Sequence, residues 1–346
     1  MIIYRCKLLE GGLSMKKWSK ALLFCMGIIT LALFIIATVL SPKKKIEGIT
    51  TPEKMDFEQA ITSFDFMSNT WETAVPQTEI HRLIEEHFAS PLPEGKTEKK
   101  AIVIGYDGCR TDNFRLLENS EKSAVKTLLA DGGQAVFSYC GGVNYPEKNV
   151  QATSTAPGWS SMLTGQWANT FGVTGNGQPK PIEPKTLLLE LVEDKVIDKS
   201  AFYISWGGHF SNHNSTYINE KNYIEKNKIN SVFLRADSDE GTIENVLNDI
   251  NTPDCSDFIF LTLEFTDHNG HATGFSLQNA NYVKGFYDAD ATGKDFIDAI
   301  KSRPAYDTED WLILITTDHG GIRRNHGGPS MEERITFIIS NKEILK

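Results

Sequence analysis

No Cys-x-x-Cys pair occurs in the 346 residues, and the five cysteines are Cys6, Cys25, Cys109, Cys140 and Cys255. That excludes a zinc ribbon or a thioredoxin-type redox motif; one disulfide among the last three is allowed but not demanded. Cys-x-Pro-x-Arg, the setting of a sulfatase nucleophile, is absent around all five. Cys109 lies two residues past Asp107, but no base adjoins it, and small cysteines are common core residues. Gly158-Trp159-Ser160-Ser161-Met162 lacks the second glycine of a nucleophile elbow. Internal repeats and low-complexity tracts are missing as well. So is any excess of positive charge: the formal net charge is −10, and after Lys45 there are 27 basic against 44 acidic residues. Such a body repels nucleic-acid backbones, so a nucleic-acid polymer is not expected as a partner. It would also repel a small phosphate ester unless bound cations reversed the sign locally.

What is present is a pattern repeated three times. Ile313, Leu314 and Ile315 lie in a β-branched apolar run that reads as a strand buried on both faces, and it ends in Asp318-His319-Gly320-Gly321, with His326 in the same glycine-rich loop. Residues 101–106 run likewise into Asp107-Gly108, and residues 258–265 into Asp267 and Gly270-His271. In an open α/β sheet ligands bind beyond the carboxyl ends of the parallel strands. Three carboxylates at one sheet edge repel each other unless cations hold them, and with neutral imidazoles added the donor set suits zinc. Singly, an Asp-Gly after a strand is a turn more often than a ligand; the pattern over three strands carries the weight.

Between these lies Thr155-Ala156-Pro157 at the start of a helical run. A hydroxyl at a helix N-terminus can be a plain cap; the same free N–H groups and partial positive charge would also favour an alkoxide and bind a phosphate. Further helices are expected over 123–130, 186–193 and 282–300, and strands over 134–139, 201–205 and 335–339. Asp112 reads as a cap, Arg110 as a surface residue, and His209 and His213 as surface or rim residues of a polar loop. Alternating strands and helices argue an α/β fold: a doubly wound, mostly parallel sheet flanked by helices.

The amino terminus reads differently. Residues 21–40 hold no charge, and twenty residues at about 1.5 Å each span about 30 Å, one bilayer core. Lys16, Lys17 and Lys20 precede the run and Lys43, Lys44 and Lys45 follow it. The run exceeds a usual signal-peptide core and no small-x-small cleavage site precedes the lysines, so an uncleaved transmembrane anchor is expected over a cleaved signal. The expected organisation is a short cytoplasmic tail at 1–20, the anchor at 21–40, a stalk or linker with short helices at 41–98, and a catalytic domain at 99–346. The catalytic domain is expected outside the cytoplasm, on a single-pass membrane protein.

From Lys100 onward the chain resembles the alkaline phosphatase superfamily, and within it type I phosphodiesterases and nucleotide pyrophosphatases. Tyr106-Asp107-Gly108, Thr155 with Ser161-Met162-Leu163-Thr164-Gly165, Phe171 to Asn176, Asp267-His268-Asn269-Gly270-His271, and Asp318-His319-Gly320 with His326 follow the family's order. The resemblance implies one zinc ion held by Asp267, His271 and His326, and another held by Asp107, Asp318, His319 and Thr155. It implies Thr155 as the nucleophile, Asn176 as a holder of a phosphate oxygen, and a small phosphate ester as substrate. Nucleotide-cleaving members carry an aromatic after the nucleophile where this chain has Ala156, and an Asn where it has Gly158. Phosphodiester or pyrophosphate hydrolysis is therefore expected. Phosphomonoester hydrolysis, transfer of a phospho-head group, and a non-catalytic zinc-binding surface protein are the alternatives.

Overall fold

The computed structural model describes residues 48–141 and 151–345. The expected tail and membrane anchor at 1–40 lie outside them. Among the described residues no helix is long and apolar enough to cross a membrane.

In chain order the elements are α1 (Phe57–Thr62), β1 (Val75–Pro76), α2 (Glu79–Ala89), β2 (Glu98–Tyr106), a 3-10 helix (Thr111–Asn119), α3 (Ala124–Ala130), β3 (Gln134–Tyr139), α4 (Thr155–Thr164), α5 (Leu187–Glu193), β4 (Ser200–Ile204), α6 (Ile218–Asn227), β5 (Ser231–Arg235), α7 (Asp239–Ile250), β6 (Phe258–Leu263), α8 (Phe265–Thr273), α9 (Ala280–Lys301), β7 (Glu309–Thr316), α10 (Met331–Arg334) and β8 (Ile335–Ser340). The strands form one eight-stranded sheet in the order β1-β3-β8-β7-β2-β6-β4-β5. β8 runs antiparallel to both its neighbours, and the other pairings are parallel.

Past their charged first residues, Glu98 to Lys100 and Glu309 to Asp310, the central strands β2 and β7 are mostly apolar because both their faces are covered. Ile102 and Ile104 of β2 join Ile313 and Ile315 of β7 in a core shared with Val246 of α7 and Phe286 and Phe296 of α9. The intervening Ala101, Val103, Leu312 and Leu314 face the opposite side, against Ile80 and Ile84 of α2 and Trp159 of α4. This is the doubly wound arrangement, with the period-two alternation of each strand dealing its side chains to two cores.

The segment expected as a stalk is not one over its described part. Residues 48–98 belong to the same compact unit as the rest. β1 pairs with β3 at the sheet edge, and Ile80 and Ile84 are fully buried. α2 is one of the short helices expected in that segment, and its apolar stripe closes one of the two cores.

Candidate active site

Three strand ends and two helices converge at the carboxyl edge of the sheet. Asp107 follows β2 directly, and its N–H donates to the Leu263 carbonyl at 3.0 Å, which ties the tip of β2 to that of β6. Asp318 follows β7 by two residues and accepts the Gly108 N–H at 3.2 Å. β6 ends at Leu263, two residues earlier than expected, so Asp267 sits on α8 with His271 one turn later. This i, i+4 spacing puts both on one helix face, where His271 Nε2 lies 3.4 Å from Asp267 Oδ2.

Two glycines make the convergence possible. A Cβ on Gly158 would come within 2.7 Å of Asp318 Cβ, and one on Gly108 within 2.7 Å of Asp267 Oδ1. Gly108 also has φ +65°, which a side chain resists. Gly158 is thus what lets the first turn of α4 press against the end of β7.

The three histidines share one orientation. Nδ1 of His319 meets the Gly320 carbonyl at 2.7 Å, Nδ1 of His326 the Thr153 carbonyl at 3.0 Å, and Nδ1 of His271 the Arg324 carbonyl at 2.9 Å. A carbonyl only accepts, so each ring carries its proton on Nδ1 and turns a lone pair on Nε2 inward. Those Nε2 atoms meet one another and the carboxylates: His326 to His271 at 3.1 Å, His319 to Asp318 at 3.3 Å and to Asp107 at 3.7 Å, and His326 to Asp267 at 3.8 Å. Asp107 Oδ1, Asp267 Oδ1 and Asp318 Oδ2 are buried without a hydrogen-bond partner.

Lone pairs facing lone pairs, beside orphaned carboxylate oxygens, form a donor set that fits divalent cations. Ligand atoms of Asp107, Asp318 and His319 fall within 4.8 Å of one another, as do those of Asp267, His319 and His326. His319 therefore stands between the two groups, and His271 flanks the second. Burial, reinforced by the neighbouring carboxylates, drives Asp107 and Asp318 well above the ordinary carboxylate range; burial also raises Asp267 to about 7. Burial keeps His319 neutral and lowers His326 to about 4, so both imidazoles are ready ligands near neutrality.

Thr155 opens α4, with its Oγ1 3.4 Å from His319 Nε2. Pro157 has no N–H, and the Ala156 N–H donates to Asn176 Oδ1 at 2.9 Å. The helix end therefore offers fewer free donors than its position implies. In return, the bond fixes the Asn176 amide with its NH2 group still free to donate.

Other expectations need correction. Arg110 is buried, not on the surface: its guanidinium forks onto Asp112 at 2.9 and 2.8 Å and donates to the Phe275 carbonyl at 3.0 Å. Asp112 is its partner rather than a helix cap. His209 is fully buried, while His213 is exposed. Cys109, Cys140 and Cys255 are free and buried, and burial raises the Cys109 thiol far above the range of a nucleophile.

Two residues of the site went unread in the sequence. Glu264 groups with Asp107 and Asp267; it was absorbed into a strand that in fact ends one residue before it. Trp159, fully buried, donates Nε1–H to Asp107 Oδ2 at 2.9 Å. Its i, i+4 spacing from Thr155 was the available signal. Trp159→Phe should keep the fold but weaken divalent-cation binding by about 10–100-fold, the usual cost of losing a partner that orients a ligand. Metal titration would show it, and unchanged affinity would remove Trp159 from the site.

The family model described as type I phosphodiesterase / nucleotide pyrophosphatase matches residues 101–327. No curated protein matches in sequence. Among solved structures, the C-terminal periplasmic domain of phosphoethanolamine transferase EptC from Campylobacter jejuni is similar at 15% identity and TM-score 0.44, over 71% of this chain and 80% of that one. Murine ectonucleotide pyrophosphatase / phosphodiesterase 5 is similar at 20% identity and TM-score 0.42, over 64% of this chain and 57% of its own. The lipoteichoic acid synthase LtaP from Listeria monocytogenes follows at 13% identity and TM-score 0.41, over 75% and 70%. These likenesses are distant, at 20% identity or less.

Proposed function

The chain belongs to the type I phosphodiesterase / nucleotide pyrophosphatase family, a family of hydrolases, and from that premise we propose that it cleaves phosphodiester or pyrophosphate bonds of small molecules through a phosphothreonine at Thr155. The observation that carries this reading is the Thr155 hydroxyl at a helix N-terminus, 3.4 Å from an imidazole lone pair that also faces Asp318 at 3.3 Å. Asp107, Asp318 and His319 would hold one divalent cation and Asp267, His271 and His326 a second, with zinc the best match for mixed carboxylate and imidazole donors. Bound there, the two cations would neutralise the carboxylates, favour ionisation of a hydroxyl or water, and stabilise charge on the phosphoryl oxygens.

The chain's own residues supply the rest. The Thr155 oxygen forms a bond to phosphorus, its proton passing to solvent or to the leaving group, as the bond to the leaving alkoxide or phosphate breaks on the opposite side. Asn176, held by the Ala156 N–H, presents its amide N–H to a non-bridging oxygen. Water then adds to phosphorus, the Thr155 oxygen leaves and is reprotonated, and a phosphate monoester departs.

A diester is favoured over a monoester. A monoester dianion profits from a cation beyond the phosphate, but Arg110 is committed to Asp112. Arg323 and Arg324 are exposed in the loop before His326. Bis-p-nitrophenyl phosphate should be hydrolysed with a higher kcat/KM than p-nitrophenyl phosphate. A monoester preference that collapses on Arg323→Ala or Arg324→Ala would assign the chain to phosphomonoesterases instead. The reading includes a single-pass anchor with the domain outside the cytoplasm. The anchor rests on the uncharged run at 21–40, and protection of the domain from protease on intact cells would overturn its outward placement.

A further inference from the structure

The nucleophile segment and the second group of donors meet at one side chain. Thr153 is fully buried, two residues ahead of Thr155. Its Oγ1 accepts the Gly327 N–H at 2.9 Å and donates to the Gly328 carbonyl at 2.9 Å. Its own carbonyl accepts Nδ1–H of His326 at 3.0 Å. One residue therefore holds both the His326 ring and the backbone just past it.

Little else holds that turn. Gly327 and Gly328 have no side chains to pack, and Gly327 is exposed at φ +110°. The Gly328 N–H donates to Glu333 Oε1 at 2.8 Å, which ties the far end only. Ser154 Oγ lies 3.4 Å from the same His326 Nδ1, a long contact to an atom whose proton is already given. Without the Thr153 hydroxyl, the two peptide groups it now bonds can turn to water instead. The loss would free the turn and the His326 ring rather than unfold the domain.

The same segment reaches the first donor group at its other end, where Thr155 Oγ1 faces His319 Nε2 at 3.4 Å. The His319 and His326 rings stack with centroids 3.9 Å apart and 23° between their planes. From Thr153 to Thr155 the chain thus touches one imidazole of each group.

We propose that Thr153 is a positioning residue: its hydroxyl locks the 326–328 turn to the segment that delivers Thr155, and so fixes the Asp267, His271 and His326 group at one distance from the nucleophile. This rests on the two-cation hydrolase reading above and adds to it the residue that sets the spacing.

The experiment titrates metal-free full-length protein with zinc against a chromophoric chelator, then measures bis-p-nitrophenyl phosphate hydrolysis at saturating zinc. Thr153→Val keeps the shape and removes the hydroxyl. One zinc equivalent should weaken by about 10–100-fold and the other should hold its affinity. At saturating zinc, kcat should fall by about tenfold or more with KM little changed, since the nucleophile and the second group no longer keep their spacing. Thr153→Ser retains the oxygen and should behave as wild type. Thr153→Ala removes the same hydroxyl in a smaller side chain and gives the same test should valine not fit. Because Thr153 acts through His326, adding Thr153→Val to His326→Ala should weaken zinc no further. A purely structural role predicts instead that both equivalents weaken together and that the loss persists without His326; either result would overturn the proposal. So would unchanged zinc affinities in Thr153→Val, and the hydrolase reading would stand. Wild-type protein that binds two zinc ions but cleaves no diester would overturn the hydrolase reading alone.

Discussion

Thr155→Ala is expected to lower diester turnover by at least about a thousandfold, the scale seen when a covalent nucleophile is removed, while the protein retains its metal. The two effects separate because the carboxylates and imidazoles come from β2, β7, α8 and the 319–326 loop, none of which depends on the Thr155 hydroxyl for its place. Asp107 is held by Trp159 and the Leu263 carbonyl, and each histidine by a backbone carbonyl. Thr155→Ser keeps the oxygen and should keep measurable activity. The measurement is single-turnover kinetics beside elemental analysis of the same sample. Turnover in Thr155→Ala equal to wild type would show that water attacks phosphorus directly.

Removal of metal should cost stability, and the cost should grow with pH. In the metal-free protein, burial raises Asp267 to about 7, and Asp107, Asp318 and Glu264 are driven well upward by burial and by one another. An unfolded carboxyl titrates near about 4. Between about pH 4 and about pH 7 the folded chain thus holds protons that the unfolded chain has released, and its stability falls as pH rises through that window. Cation binding runs the other way, since it needs the carboxylates ionised. The melting temperatures of loaded and chelated protein should therefore differ little at pH 5 and by roughly 10 °C at pH 7.5, which corresponds to saturation near a thousandfold above Kd. A gap that does not widen with pH would sink the cation assignment.

Much of this site could be read from the chain because chemistry and periodicity coincided there. Residues 101–106 and 258–263 are mostly apolar runs of strand length, and nothing in their composition competes with that reading. An Asp at the end of such a run has no packing reason to be there, so Asp107 and Asp318 stood out. What failed was whatever depended on partners distant in sequence. The loop around His209 is rich in Gly, Ser and Asn and reads as solvated. Yet Phe202, Trp206 and Tyr217 close around the imidazole, with Phe202 and Tyr217 at ring distances of 5.3 and 5.7 Å. β5 is a partly exposed edge strand of five residues with too little alternation to register. Arg110 reads as a surface residue, yet its fork onto Asp112 and its bond to the distant Phe275 carbonyl take it into the interior.

The pairing of β1 with β3 bears on where this chain can be cut. A fragment beginning at Lys99, at the boundary the sequence suggests, would discard β1 and α2 together. It would leave the β3 edge unpaired over Ser138 and Tyr139, where β1 now runs. It would also bare the face on which Ile80 and Ile84 pack, at about 1.5–3 kcal/mol for each such side chain. An open strand edge beside an uncovered apolar surface is a template for self-association. β1 and α2 thus cover a strand edge and an apolar face of the catalytic domain, and a soluble form is expected to need both to stay free of self-association.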